Sequence, residues 1–300
     1  MSFGYGYSID KIIPQGGGSG FVGILDEVPG ATAARGIFLL SSTYTGSCMR
    51  VFRESDLSET DIGFVDGLVD FAAIQSFGSG GDTVRVLTMY DQTGNGFHWE
   101  QDIALQAPII LNAGVLEVLN GNPALYAPNN VRMLSDDYVV SIGSAANLTD
   151  VNYTHFITHA NDGDTAGGIW GFSSNFATRL QLINSGTDYR WLQGQQSGGT
   201  VTFDISIADQ TQTTFTCRAE EGISKEMWKD GVLSLSDYAA IDMELWNPVT
   251  VDKIALFAWD HNSTFNRTLR GWYQLDIWYS SALPISDVNK VNSAITNLLN

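Results

Sequence analysis

Short β-type segments separated by turn residues recur along most of this chain, and they limit what it can fold into. The clearest of them, residues 201–207 (VTFDISI), alternates apolar and polar residues without a break, which is the pattern of a strand with one buried face. Residues 252–259 (DKIALFAW) are apolar on both faces and indicate a central strand. Further strand candidates are residues 37–44, 49–55, 84–90 and 272–279. Strands and helices do not alternate, so we predict an all-β sandwich rather than a parallel sheet.

Two segments have a helical pattern. Residues 67–77 and 286–298 both repeat apolar side chains at helical spacing, which predicts one short internal helix and one C-terminal helix. Ser286 is the expected N-cap of the second helix. The side chains expected along one face are Leu68, Phe71, Ala72 and Gln75 in the first helix, and Val288, Val291, Ile295 and Leu298 in the second.

The first 30 residues differ in composition from the rest. An aromatic, glycine-rich opening (FGYGY) is followed by GGGSG at residues 16–20, which is the composition of a flexible linker. We predict an N-terminal anchoring segment and linker at residues 1–30 and one jelly-roll β-sandwich domain at residues 31–300, since no second linker occurs. A frayed terminus is the alternative for the first segment.

The charge of the chain excludes several classes of partner. Its formal net charge is −18, so the phosphates of a nucleic acid and an anionic membrane surface would both be repelled. No segment approaches the ~20 apolar residues that a membrane-spanning helix needs. The N-terminus has neither a basic start nor an apolar run of signal-peptide length, and we therefore expect the chain to fold in a cytoplasm.

Cysteines and histidines give little support for a disulfide scaffold or a metal centre. Cys48 and Cys217 are too few for a scaffold of disulfides; buried thiols are the favoured interpretation, and one long-range bridge is the alternative. His155 and His159 lie four residues apart in a predicted strand, about 13 Å at ~3.3 Å per residue, so they would not share a metal. We predict no cofactor.

Residues 90–99 (YDQTGNGFHW) concentrate polar and aromatic side chains in one short stretch. Asn95-Gly96 is a strong turn dipeptide, and Asp91 and Gln92 can bind nearby backbone N–H groups. We favour a structural corner over a ligand-binding loop. If a sugar binds there, His98 and Trp99 are the best candidates, because saccharides favour aromatic faces and planar polar groups.

Other candidate ligand-binding side chains are scattered along the chain. Trp170 (in GGIWGFSS) and Trp191 (in DYRWLQG) are expected on loops, where they could contact a sugar. Asp162 and Asp164 lie in a glycine-rich segment, NDGDTAGG, and could bind Ca²⁺ together with backbone carbonyls. A solvated turn is the favoured interpretation of that segment.

Four segments carry a resemblance to known families. Residues 41–64 (SSTYTGSCMRVFRESDLSETDIGF) and 90–98 (YDQTGNGFH) resemble the catalytic domain of α-L-arabinofuranosidase B. Residues 227–235 (MWKDGVLSL) and 270–291 (RGWYQLDIWYSSALPISDVNKV) look like the paired signatures of concanavalin A-like (laminin-G-like) jelly rolls. Similar modules occur in tailed-phage virion proteins, where an opening such as MSFGYGY often precedes the block.

The resemblance implies a concanavalin A-like jelly roll and locates the residues that hydrolysis would need. Asp260, in LFAWDHN, matches the acid/base of the arabinofuranosidases, although Trp259 replaces the small residue before it. The family's nucleophile is a glutamate on a mid-chain strand, and this chain has no glutamate between Glu117 and Glu220. Glycoside hydrolysis needs two carboxylates, so we predict that the fold is kept and the hydrolysis lost.

The expected function follows from this combination. We predict a non-enzymatic structural protein of a tailed-phage virion, attached to other virion proteins through residues 1–30 and displaying a carbohydrate-binding type of jelly roll for decoration or for adhesion to host-surface glycans. A homo-oligomer or symmetric array is expected on such a particle. The alternatives are an active α-L-arabinofuranosidase-like hydrolase, with Asp260 as acid/base, and a purely structural decoration protein without a ligand.

Overall fold

The fold was obtained as a computed structural model, which describes residues 21–128, 131–136, 152–163, 166–175, 178–185, 188–195, 199–206, 210–220, 223–237, 253–258 and 268–300. The helices are α1 (Ile24–Glu27), α2 (Phe71–Phe77) and α3 (Ile285–Leu299), with a 3-10 turn at Ala104–Gln106. The strands are β1 (Ala33–Gly36), β2 (Met49–Arg53), β3 (Glu59–Ile62), β4 (Phe64–Val65), β5 (Leu68–Val69), β6 (Val84–Met89), β7 (Trp99–Glu100), β8 (Ile109–Asn112), β9 (Val115–Leu116), β10 (Val118–Leu119), β11 (Asn122–Pro123), β12 (Leu125–Ala127), β13 (Met133–Asp136), β14 (Tyr153–Asn161), β15 (Ala166–Asn175), β16 (Thr178–Ser185), β17 (Asp188–Gln195), β18 (Gly199–Ser206), β19 (Thr213–Glu220), β20 (Ser224–Lys229), β21 (Val232–Asp237), β22 (Lys253–Leu256) and β23 (Gly271–Tyr279).

The strands form two antiparallel layers, as the sequence predicts for a jelly-roll sandwich. The front layer runs in the order β18-β17-β16-β15-β22-β13-β7-β6-β2-β3. The back layer runs β21-β20-β19-β14-β23. On the other edge of β23, β12 pairs with its first residues and β1 with its last residues. Strand β8 pairs with both β6 and β12 and joins the layers. The all-β fold class is therefore confirmed.

The core lies between the two layers. Side chains of β14 meet those of the front layer there, and ring centroids are 4.6 Å apart for His155 and Trp170 and 5.0 Å apart for His159 and Tyr189. Every residue of β14 is buried, because one face of this strand meets the front layer and the other is covered too, for example at Ala160, which packs with Leu119, Ala124 and Trp272. Such double burial is typical of a central strand.

Helix α3 covers the outer face of the back layer. Val288, Val291 and Ile295 are fully buried, as predicted, and Asn292 accepts a hydrogen bond from the Thr216 hydroxyl of β19 at 2.8 Å. The helix begins one residue earlier than predicted, at Ile285, and Pro284 occupies the N-cap position. The predicted N-cap Ser286 is therefore wrong, because the fixed φ of proline already sets the helix entry.

Helix α2 is shorter than predicted and buries a different residue. Leu68 pairs in β5, so the helix begins at Phe71, after Asp70, whose carboxylate accepts a hydrogen bond from the Ala73 N–H at 2.9 Å. The buried side chain is Ile74, whereas Ala72, on the predicted apolar face, is exposed. An aspartate N-cap of this kind fixes the start of a helix more strongly than the apolar spacing of one or two turns.

The predicted strand at residues 37–44 is wrong. Strand β1 ends at Gly36, and Phe38 forms only an isolated bridge with Leu68. The backbone N–H of Leu40 donates to the side-chain oxygen of Gln92 at 2.8 Å instead of to a neighbouring strand. By contrast, strands are found in the segments predicted at residues 49–55, 84–90, 201–207, 252–259 and 272–279; they are β2, β6, β18, β22 and β23.

Residues 21–30 pack against the sandwich. They were assigned to the N-terminal segment, but Ile24 of α1 and Val28 are buried in the main core. Gly23 lies against the backbone of Leu40, where an added Cβ would come within 2.2 Å of the carbonyl oxygen. Residues 1–20, including the GGGSG segment, lie outside the described residues, and their role as an anchor stays a prediction.

Two further expectations concern the cysteines and a membrane. Cys48 and Cys217 are both buried free thiols, which confirms the favoured interpretation. Burial raises the pKa of both thiols, so they stay protonated at neutral pH. Within the described part of the chain, the helices are too short or too polar to cross a bilayer.

Candidate functional site

Asp91 organises the YDQTGNGFHW stretch as a closed corner. Its Oδ1 accepts hydrogen bonds from the N–H groups of Ala34 and Thr93, at 2.9 and 3.1 Å. Its Oδ2 accepts from the Thr93 hydroxyl at 2.6 Å and from the N–H groups of Gly96 and Phe97 at 3.1 and 3.3 Å. The left-handed residues of the turn are Gly94 and Gly96, each with φ of 84°, rather than Asn95 and Gly96. Asp91 is therefore a structural residue, as favoured from the sequence.

Gln92 fixes the corner to the segment that follows β1. Its side-chain oxygen accepts from the Leu40 N–H at 2.8 Å, and its side-chain amide donates to the Phe38 carbonyl at 2.8 Å. Its own N–H donates to the Ala34 carbonyl at 2.8 Å. The Gln92 side chain thus supplies the hydrogen-bond partners that a neighbouring strand would give to the Leu40 N–H and the Phe38 carbonyl.

Trp99, named as a candidate if a sugar binds at this corner, is fully buried and so is not accessible to a sugar. Its indole N–H donates to Asp276 Oδ1 at 2.9 Å, and the Arg35 guanidinium lies over its ring at 4.1 Å from the centroid. Arg35 also donates to the Phe97 carbonyl at 2.9 Å and forms a bidentate ion pair with Asp276. The tryptophan is part of a buried polar cluster between the sheets.

That cluster includes a contact between a carboxylate and an imidazole. His155 Nε2 lies 3.6 Å from Asp276 Oδ2, and the imidazole packs on the rings of Trp170 and Trp278. Burial alone would raise the pKa of Asp276, but Arg35 and His155 outweigh it and hold that pKa well below its usual range. Burial lowers the pKa of His155, which Asp276 opposes. Asp276 is therefore ionised at neutral pH, and removing either partner of this buried ion pair would leave an unpaired charge in the core.

Trp170 is also buried, and the expectation that it lies on an exposed loop is wrong. It belongs to β15 and is 2% exposed, with its ring 5.2 Å from that of Trp278. The glycines before it allow close packing rather than a loop: a Cβ on Gly167 would come within 2.8 Å of the Leu269 backbone. Trp191 lies in β17 and not on a loop; its side chain lies outside the described residues.

The acidic candidates divide between described and undescribed residues. Asp162 is partly buried and already has protein partners: its carboxylate accepts from Tyr126 at 2.8 Å and Gln210 at 3.0 Å, and pairs with Arg270 at 3.0 Å. An arginine at this carboxylate argues against a Ca²⁺ ligand. Asp164 and Asp260 lie outside the described residues. Within the described ranges, no group of three or more His, Cys, Asp or Glu side chains could hold a metal ion.

His98 is the predicted ligand-binding residue that the structure leaves accessible. The side chain is partly exposed, and Nδ1 accepts a hydrogen bond from the Asp91 N–H at 2.9 Å. The neutral ring therefore carries its proton on Nε2. The ring of Tyr90 packs edge-on against it, with centroids 5.2 Å apart.

Tyr90 extends this site to two exposed charged residues. Its hydroxyl donates to Asp61 Oδ1 at 2.9 Å, and Arg50 Nε donates to the same oxygen at 2.9 Å. Burial and the bond to Asp61 raise the pKa of Tyr90 to about 12, whereas the bond from Arg50 lowers the pKa of Asp61. We refer to His98, Tyr90, Asp61 and Arg50 as the His98 surface. Asp61 and Arg50 are exposed, and His98 and Tyr90 are partly exposed.

A second accessible aromatic group was missed by the sequence reasoning. Trp272 begins the predicted strand at residues 272–279, and it is partly exposed next to Tyr126, with ring centroids 5.0 Å apart. The two residues are direct neighbours across β23 and β12. No single-sequence signal identifies this pair, because the two rings come together only through strand pairing over a long sequence separation.

Three solved structures that share this fold are arabinofuranosidases. One is an arabinofuranosidase complexed with arabinofuranosyl-α-1,2-xylobiose, at 16% identity and a TM-score of 0.64. The others are a mutant GH54 α-L-arabinofuranosidase soaked with 4-nitrophenyl α-L-arabinofuranoside (17%, 0.66) and a GH54 α-L-arabinofuranosidase soaked with a cyclic sulfate inhibitor (16%, 0.58). Each alignment covers 91% of this chain and 64% of the other.

These similarities establish the fold. The chain spans less than two thirds of the length of each of these structures, and identity at this level carries no statement about activity. No protein-family model matches the chain. No curated protein matches it either.

Proposed function

We propose that this chain is a non-hydrolytic glycan-binding module that decorates a tailed-phage virion or attaches it to host-surface glycans. The observation on which the binding proposal depends is the composition of the His98 surface. A partly exposed imidazole with its proton on Nε2 lies against a tyrosine ring and beside an ion-paired carboxylate. Aromatic faces and planar polar groups of this kind are the usual contacts of a saccharide.

The charge states of two described carboxylates, Asp61 and Asp276, support binding without cleavage at their positions. A glycosidase needs one carboxyl group with a raised pKa and a second carboxylate ~5–9 Å away. At the His98 surface, Arg50 lowers the pKa of Asp61, and in the sandwich interior Arg35 and His155 do the same for Asp276. Neither group is protonated at neutral pH, so neither can protonate a leaving oxygen.

A glycan array tests the binding proposal directly. We expect the wild-type protein to bind neutral glycans weakly and to gain affinity when it is displayed in many copies. His98→Asn supplies a shorter side chain that can still accept the Asp91 N–H, and this variant should weaken binding about fivefold to tenfold while the far-ultraviolet circular dichroism stays unchanged. Equal binding by the two proteins would remove the His98 surface from the proposal.

The virion assignment needs a separate test. It is supported by the opening MSFGYGY, which resembles the segment that often precedes similar modules in tailed-phage virion proteins. Immunogold microscopy of phage particles would locate the protein, and the control is a chain that lacks residues 1–20. We expect loss of the truncated chain from particles; unchanged occupancy would contradict an anchoring role.

An active arabinofuranosidase is the second candidate, and the shared fold favours it. The test is release of 4-nitrophenol from 4-nitrophenyl α-L-arabinofuranoside by the purified chain. We expect no turnover above that of Asp260→Asn. Turnover by the wild type that this variant abolishes would replace the non-hydrolytic proposal.

A further inference from the structure

A β-bulge turns Trp272 towards the outside of the sandwich. Before the bulge, Trp278 and Asp276 face the interior opposite His155 and Ile157. The register between β14 and β23 then shifts, so that Tyr273 pairs with His159 and Trp272 with Ala160. One extra residue in β23, Gln274, reverses which side chains point inward, and Trp272 comes to lie on the outer face.

Strand pairing then brings two aromatic rings together on that face. Trp272 pairs with Ala160 on one side and Tyr126 on the other, and its ring packs on Leu119, Ala124 and Ala160. The close approach that seats it depends on Gly271, where a Cβ would come within 2.2 Å of the Ala160 carbonyl oxygen. Both rings remain partly exposed, so they form a supported aromatic platform.

Charged groups flank the two rings. The Trp272 indole N–H donates to Glu117 Oε2 at 3.2 Å, and the Tyr126 hydroxyl donates to Asp162 Oδ2 at 2.8 Å. Arg270 pairs with Asp162 at 3.0 Å. We refer to Trp272, Tyr126, Glu117, Asp162 and Arg270 as the Trp272 patch. Two carboxylates and one guanidinium give it a formal charge of −1, within a chain of net charge −18.

We propose that the Trp272 patch is a binding site for neutral pyranosides, separate from the His98 surface. The apolar face of a pyranose stacks on the exposed parts of the two rings, and the carboxylates of Glu117 and Asp162 accept its hydroxyls. Glu117 Oε1 and Oε2 accept one hydrogen bond each, from Asn112 and Trp272, and Asp162 Oδ1 accepts one from Gln210. Each of these three oxygens therefore keeps a lone pair for a sugar hydroxyl, whereas Asp162 Oδ2 is taken by Tyr126 and Arg270. Because the patch and the chain are both negative, uronic and sialic acids are disfavoured.

The patch lies on the back layer, whereas the His98 surface belongs to β2, β3 and the corner after β6. A module with two separated sites would bind a dense glycan surface through both, which strengthens attachment without any increase in the affinity of either site. The proposal goes beyond the binding function proposed above, and either site can exist without the other.

Nuclear magnetic resonance of the indole N–H groups tests the proposal on the intact chain. The Trp272 signal is assigned as the one missing from Trp272→Phe, and methyl β-D-glucopyranoside, methyl β-D-galactopyranoside and D-glucuronate serve as probes. We expect the neutral glycosides to shift the Trp272 signal at millimolar concentration, and glucuronate to bind at least about fivefold more weakly. No shift at tens of millimolar glycoside, or equal binding of glucuronate, would overturn the proposal.

Two variants separate this site from the His98 surface. Glu117→Gln should weaken glycoside binding about fivefold and reduce the discrimination against glucuronate, whereas His98→Asn should leave the Trp272 titration unchanged. If glycosides shift signals around His98 but not that of Trp272, the His98 surface is supported and the Trp272 patch is rejected. The reverse pattern supports the patch and rejects the His98 surface.

Discussion

At the scale of single residues, Asp91 carries the strongest prediction. Five hydrogen-bond donors converge on its two oxygens, and the residue is 2% exposed. Asp91→Asn would place an N–H₂ group against the N–H groups of Gly96 and Phe97 or Ala34. We expect the free energy of unfolding to fall by about 2–4 kcal/mol, since buried donors lose their acceptor, measured by urea denaturation.

The matched control is Asp102, an exposed aspartate that follows β7. Asp102→Asn removes the same charge. A surface change of this kind usually stays within about 0.5 kcal/mol. If the two variants destabilised the chain equally, the loss would come from charge rather than from the hydrogen bonds of the corner.

His159 makes the stability of the chain depend on pH. Its ring lies between those of Tyr189 and Phe215, with centroids 5.0 and 5.5 Å away, and within the described residues its nitrogens have no hydrogen-bond partner. Burial lowers its pKa to about 3 from the ordinary 6.5. Between these values the unfolded chain binds the extra proton, so stability is fully present above pH 6.5 and is lost as the pH falls towards 3.

His159→Phe keeps an aromatic ring in this position and removes the titration. At about 1.4 kcal/mol per pKa unit, the variant should lose about 2–3 kcal/mol less stability than the wild type between pH 6.5 and 4.5, as followed by urea denaturation at each pH. His155, whose pKa burial also lowers, and the carboxylates titrate in both proteins and cancel in the comparison. Parallel pH profiles would show that His159 is not the group responsible.

At the scale of elements, α3 stabilises the back layer through one buried stripe. Ile295 is fully buried, whereas Ile285, in the first turn of the same helix, is 43% exposed. Ile295→Ala should cost about 2–5 kcal/mol of unfolding free energy, because it leaves a cavity against the sheet. Ile285→Ala is the matched control and should cost less than about 1 kcal/mol. Similar losses for both in thermal or urea denaturation would mean that α3 does not pack as described.

The sequence predicts elements well where periodicity is long and unbroken. The span of β23 and the buried stripe of α3 follow from apolar spacing, whereas β22 covers only Lys253–Leu256 of the predicted 252–259. The strand expected at residues 37–44 fails because Gln92, far along the chain, takes the Leu40 N–H that a neighbouring strand would otherwise bind. A side chain that substitutes for a ladder partner leaves no trace in local periodicity.

Facing directions are harder to predict than spans. The bulge at Gln274 places the Trp272 side chain on the outer face of the back layer. Strict alternation along β23 would put it on the inner face with Trp278. A register shift also lies between Gly168 and Trp170, within a glycine-rich stretch that was interpreted as a loop. The sequence analysis therefore named His98, which is partly exposed, but it named the buried Trp99 and Trp170 as candidates and not the partly exposed Trp272. A one-residue bulge cannot be recognised in the sequence without the partner strand.

At the scale of the whole molecule, the excess of acidic residues should limit stability at low salt. The chain has 33 Asp and Glu against 15 Lys and Arg, and repulsion among surface charges favours the expanded state. Salt also weakens exposed ion pairs such as Arg50–Asp61, whose side chains are 45% and 40% accessible, and this lowers stability. Each such pair contributes only about 0–1 kcal/mol to the free energy of unfolding. Repulsion should therefore dominate.

Raising NaCl from roughly 0.01 M to 0.15 M shortens the screening length from about 30 Å to about 8 Å. If screening relieves about 1 kcal/mol of repulsion, Tm rises by roughly 2–4 °C for a domain of this size, as measured by calorimetry. Tetramethylammonium chloride at the same ionic strength should give the same rise, because screening depends on ionic strength and not on the identity of the cation. A rise with Na⁺ alone would indicate a bound cation, and a fall with both salts would mean that attractive ion pairs outweigh the repulsion of the net charge.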